Sequence, residues 1–135
     1  MHKVLEDLLY ARYPDIFRER ALPPEASAMG RGCTCGDGWF AIIDAVCEQI
    51  ADSVTQGEMP TVTFRQIKEK VGSLRIHFRG GDAHTRTLVR LAEAFSIRIC
   101  KECGAPTDIH DVSYSRPSQL CKACNAALTS PNKQT

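Results

Sequence analysis

Aromatic residues are scarce in this chain, at 7% of 135 positions, and Trp39 is the single tryptophan. That scarcity argues against a surface built to stack unpaired nucleic-acid bases, which needs several rings close together. No apolar run approaches the ~18 residues of a membrane-spanning helix, so no membrane partner is expected. The opening stretch, Met1 to Tyr10, sets Glu6 and Asp7 inside its apolar pattern and lacks a small-residue cleavage site. It reads as a helix, not a secretion signal, and a cytoplasmic protein is expected. Seven cysteines are an odd number, which excludes a framework pairing every thiol within one chain. Internal repeats and low-complexity tracts are also missing. So is any local signature of catalysis, such as a base beside a nucleophile or an oxyanion-hole motif. The chain is therefore not expected to be an enzyme.

What is present suits one small α+β body with a real core, since 43% of the residues are hydrophobic. The net charge of +1 conceals a polarity. Residues 1–56 carry five Lys/Arg against nine Asp/Glu, whereas residues 57–99 carry eight against four. A basic middle beside an acidic first half is consistent with a polarised surface.

Taken in order, Val4, Leu5, Leu8 and Leu9 predict an amphipathic helix over 3–11 that buries a leucine face. Tyr13-Pro14 interrupts it, a second short turn packs Ile16 and Phe17, and residues 21–31 form an irregular connector. In Cys35-Gly-Asp-Gly-Trp39, Asp37 is placed to cap a helix over about 38–55. Trp39, Ile43, Val46, Cys47, Ile50 and Val54 would form that helix's buried face. In 73–79, Leu74, Ile76 and Phe78 alternate with Arg75, His77 and Arg79, as in a half-buried strand with a basic outer face. Residues 61–71 fit two readings. The favoured one is a strand of 61–69 in a hairpin with 73–79; Phe64, Ile67 and Val71 also fit a helix stopped by Gly72. Asp82 caps a last helix over about 83–99, with Leu88, Leu91, Ala92, Phe95 and Ile99 as its core stripe. The expected organisation is a body over 1–99, a metal module over 100–128 and a frayed tail over 129–135.

The strongest chemical signal is Cys100-Lys-Glu-Cys103, then seventeen residues, then Cys121-Lys-Ala-Cys124. Two CxxC pairs supply the four soft ligands of a tetrahedral Zn²⁺, and each two-residue spacer lets one tight turn aim two thiolates at one ion. Four thiolates fill the coordination shell, so the site is read as structural. Gly104 follows the first pair, where the knuckle needs a left-handed residue, and Asn125 after the second pair tolerates the same conformation. Ile109, Val112 and Tyr114 would make a short hairpin over the metal, and Ala126 to Leu128 a closing helix.

This segment resembles the treble-clef or ribbon-like zinc finger of the DksA/TraR family of RNA-polymerase-binding proteins, which also sets an Arg-Pro, here Arg116-Pro117, shortly before the second pair. The Leu120-Cys-Lys-Ala-Cys124 run is similar to GATA-type fingers. Over the longer span, Cys35-Gly-Asp-Gly-Trp39, Ile67 to Ile76 and the cysteine pairs resemble small uncharacterised phage and prophage proteins. That resemblance implies binding to a host protein or nucleoprotein complex, including antiviral-defence effectors such as CRISPR complexes.

Other candidate sites compete with plainer roles. Cys33, Cys35 and Cys47 could form a second metal site with His77 or His84, though Cys47 also sits on an apolar stripe. Cys35 at a helix start could be the nucleophile of a thiol enzyme. Lys68, Lys70, Arg75, Arg79, Arg86 and Arg90 could line one face for nucleic acid or a partner, giving a DNA- or RNA-binding regulator as the alternative function. The sequence specifies no oligomeric state.

Overall fold

The computed structural model describes residues 1–107 and 120–129. Helix α1 (Lys3–Arg12) leads through short 3-10 turns at Arg18–Ala21 and Ala28–Arg31 to strand β1 (Cys33–Thr34). A third 3-10 turn, Asp37–Trp39, opens helix α2 (Phe40–Thr55), followed by strands β2 (Val62–Lys70) and β3 (Ser73–Gly80). Helix α3 (Ala83–Ser96) and, beyond the undescribed 108–119, helix α4 (Lys122–Thr129) complete the described elements. The sheet order is β1-β2-β3, with β1 parallel to β2 and β2 antiparallel to β3.

The hairpin reading of 61–79 holds. Lys70 pairs with Ser73, leaving a two-residue turn of Val71 and Gly72, both left-handed at φ 48° and 80°. Such a turn matches the natural twist of the strands, but it favours Asn-Gly over a β-branched residue at the first position. Val71 is 82% exposed, so packing does not offset its strain. Val71→Asn is expected to raise stability by ~1 kcal/mol, read as a higher urea midpoint; a lower midpoint would contradict this account of the turn.

The hairpin's inner face, Phe64, Ile67, Leu74 and Ile76, joins Leu9, Phe17, Met29, Trp39, Ile43 and Ile50 in one continuous core. On α1 the predicted leucine face is narrower than expected. Leu9 is buried, but Val4 is 78% exposed and Leu8 lies at the surface.

Helix α3 is rotated relative to its predicted stripe. Thr85, Val89, Ala92 and Ser96 are its buried residues, while Leu91 and Phe95 are 57% and 50% exposed. The cause lies in the outer edge of β3. The amides of Leu74 and Ile76 point away from β2, and α3 supplies their acceptors: Ser96 Oγ at 2.9 Å and Glu93 Oε1 at 3.2 Å. An edge strand covered in this way cannot recruit another chain, and the orphaned amides are satisfied. Bringing Ser96 and Glu93 to the strand turns Leu91 and Phe95 outward. The start of α3 is as predicted: Asp82 accepts from the amides of His84 and Thr85, and Thr85 Oγ1 accepts from the Asp82 amide.

Among the described residues, no helix is long and apolar enough to cross a membrane.

Candidate metal centre

After α3 the chain turns back on itself. The Thr107 amide donates to Arg98 O at 2.8 Å and the Cys100 amide to Ala105 O at 2.7 Å. Gly104, at φ 79°, lets its amide close the first knuckle onto Cys100 O at 2.9 Å. The second pair sits on α4, with Cys121 just before it and Cys124 in its first turn. Asn125 lies within that helix, so the left-handed conformation expected of it does not occur. The short hairpin assigned to Ile109, Val112 and Tyr114, together with Arg116-Pro117, falls outside the described residues, as does most of the tail.

The sulfurs of Cys100, Cys103, Cys121 and Cys124 all lie within 4.8 Å of one another and could hold a metal ion. Cys103 and Cys121 are 3.6 Å apart, too far for the ~2.05 Å of a disulfide. That separation is close to the ~3.8 Å edge of a tetrahedron with metal–sulfur bonds of about 2.3 Å. Charge points the same way. Burial pushes the Cys100 thiol up, but the amides of Cys121, Cys103 and Glu102 donate to it and hold it at about 6. Cys124, donating to the sulfurs around it (Cys121 foremost), is pushed up to about 12. Backbone donors thus stabilise the Cys100 thiolate, while neighbouring sulfurs push the Cys103 and Cys124 thiols up. A divalent cation lets all four ionise.

The first knuckle is seated on the body by the Cys35-Gly-Asp-Gly-Trp39 segment. The Gly38 amide donates to Lys101 O at 2.8 Å, and the fully buried Trp39 indole donates to Ile99 O at 3.2 Å. Both glycines are there because backbone meets backbone. A Cβ on Gly36 would overlap Lys101 O, and one on Gly38 would overlap Cys100 O and stand 2.7 Å from Gly104 N. Lys101 Nζ adds an ion pair of 2.8 Å to Glu69 on β2, so the knuckle also grips the hairpin.

Asp37 does not cap α2, which lacks any side-chain cap. Its carboxylate instead accepts from the His2 amide at 2.7 Å and contacts the His2 ring. The amide contact leads in holding the Asp37 carboxyl below its usual range. The Met1 ammonium donates to the carbonyls of Cys33 and Cys35, which ties α1 to the same loop. The sequence signal for this seat was the pair of glycines flanking Asp37; the residues they accommodate lie more than sixty positions away.

Cys33, Cys35 and Cys47 are buried core thiols. Among the described residues, the four sulfurs above form the one group of three or more His, Cys, Asp or Glu that could hold a metal. Burial pushes Cys33 and Cys47 well up, and Cys35 to about 12. A reactive thiolate needs the opposite shift. His77 and His84 are exposed.

The basic candidates divide into two surfaces. Lys68 faces Arg75 across the hairpin, and Lys70, His77 and Arg79 share their outer face with Gln66 and Ser73, so no acid interrupts it. Arg75 is paired with Glu93, and Arg79 with the buried Glu19. Among the described residues, Lys68 and Lys70 have no ion pair, and neither do Arg86 and Arg90, which are exposed on α3.

Comparison of the chain with family models, with curated proteins and with solved structures gives no match in any of the three.

Proposed function

We propose that this chain is a zinc-containing, non-enzymatic binding protein of phage or prophage type that docks on a macromolecular complex of its host. Zn²⁺ is the ion that four clustered thiolates favour, and their full shell gives it a structural role with no position for a water nucleophile. A left-handed glycine after the first pair and a helix starting at the second support a treble-clef-like finger.

The observation that carries the docking role is the outer face of β2 and β3. Lys68, Lys70, Arg75, His77 and Arg79 stand on one pleated surface to which β2 and β3 add no acid, with Glu93 and Glu19 reaching Arg75 and Arg79 from other elements. The other face is locked in the core, and the Lys101–Glu69 ion pair ties it to the metal knuckle. A preformed surface of predominantly positive charge speeds encounter with an acidic partner and disfavours basic ones.

The same face, together with the separate surface of α3 that carries Arg86 and Arg90, supports a second reading in which the partner is nucleic acid. Affinity capture from host lysate, with and without nuclease, separates the two. A defined protein complex should be retained after nuclease treatment and lost from a Lys68→Glu/Lys70→Glu variant. Capture abolished by nuclease, with affinity falling steeply as salt rises, would transfer the function to DNA or RNA. Capture unaffected by the charge reversal, or substrate turnover without any capture, would overturn the docking proposal.

A further inference from the structure

The outward rotation of α3 leaves an apolar groove of about 350 Å³ between α2 and α3. One wall is low, formed by Ala41, Ala45 and Gln49 of α2; the other is a ridge of Leu88, Leu91 and Phe95 of α3. Half-exposed Leu91 and Phe95 are bulky for a surface, and the alanines opposite are small. Ridge and trough therefore sit side by side on one molecule and match each other in size.

The charges beside them match as well. Helix α2 carries Asp44, Glu48 and Asp52 and no Lys or Arg. Asp44 is held by Arg12, but Glu48 and Asp52 are exposed and unpaired among the described residues. At 100° per residue both lie on the helix face of Ala41 and Ala45. Close to the angular position of Leu91, at the end of the ridge, stands Arg98, also exposed and without an acidic partner among the described residues. One rim is acidic and the other basic.

The geometry points to a second copy of this chain as the occupant: a two-fold dimer in which the Leu91–Phe95 ridge of each protomer fills the Ala41–Ala45 trough of its partner. An isologous contact requires a patch complementary to itself, and this one is complementary in both volume and sign. The two-fold sets Arg98 of each copy against the acidic rim of the other, so each charge contact occurs twice.

Sedimentation equilibrium of the zinc-loaded chain over a range of concentrations tests this. The mass should rise from one chain to two and stop there. Phe95→Asp should hold it at one chain, with Trp39 emission unchanged to show an intact fold. Glu48→Arg, at an exposed position, should weaken the dimer by about tenfold or more because the repulsion is duplicated by symmetry, and adding Arg98→Glu should recover most of the loss. A monomer at every concentration would overturn the proposal. So would a dimer indifferent to Phe95→Asp, or charge variants whose effects merely add.

Discussion

Gly38→Ala is expected to be among the most damaging single changes in the body, although it adds one methyl group to a loop. The new Cβ would overlap Cys100 O and stand 2.7 Å from both Gly104 N and the Lys101 carbonyl carbon. All three are backbone atoms, so no side chain can swing aside. Relief requires the first knuckle to lift from the body, breaking the Gly38–Lys101 hydrogen bond and straining the Trp39–Ile99 contact. Overpacking against fixed atoms costs ~3 kcal/mol, at the upper end for such changes. The denaturation midpoint should fall accordingly, and the metal should leave more readily because its first two ligands lose their support. A wild-type midpoint for Gly38→Ala would show that the loop and the knuckle do not bear on each other.

The second large effect follows from taking the metal away. Structural zinc supplies on the order of 10 kcal/mol to isolated fingers, enough to decide whether they fold at all. Here the body has its own core around Phe17, Phe64 and Ile43, and Trp39 is the core residue whose indole contacts the start of the knuckle at Ile99 O. Chelation should therefore unfold the annex and leave the body standing. In helix α4 Leu128 is 71% exposed, and the Cys124 amide donates to the Cys121 sulfur of the metal cluster. Loss of zinc should melt α4 and free Cys100, and the strain should reach the hairpin through Lys101 and Glu69. Cys100→Ser should reproduce most of this, since it removes the one fully buried ligand.

The parts of this structure that were legible in the sequence are those governed by short-range rules. Four cysteines in two CxxC pairs, an Asp82 start to α3, and Leu74-Arg-Ile-His-Phe78 alternation each express a constraint contained within a few residues. The hairpin could be favoured but not fixed, because Val71 at the turn is a poor local fit and tertiary pairing overrides it. The facing of α3 was not legible. Leu91 and Phe95 have the right period for a core, but the orientation is set by two amides on β3 that need Ser96 and Glu93. That need exists only once β3 has become an edge. Asp37 shows the same limit: its cap-like position was visible, whereas its true partner, His2, arrives from thirty-five residues away. The Gly36 and Gly38 seat depends on contacts just as distant.

The central claim is that a four-cysteine zinc site is clamped to the body through the Gly36–Trp39 loop. The most direct measurement is the emission of Trp39, the chain's single tryptophan, while the metal is removed by a chelator and then restored. Emission from a fully buried indole should shift to longer wavelength as zinc leaves. It should return when one equivalent of Zn²⁺ is added back. Emission that stays unchanged after the metal is shown to be gone, or a purified chain that carries no sulfur-bound metal at all, would contradict the claim.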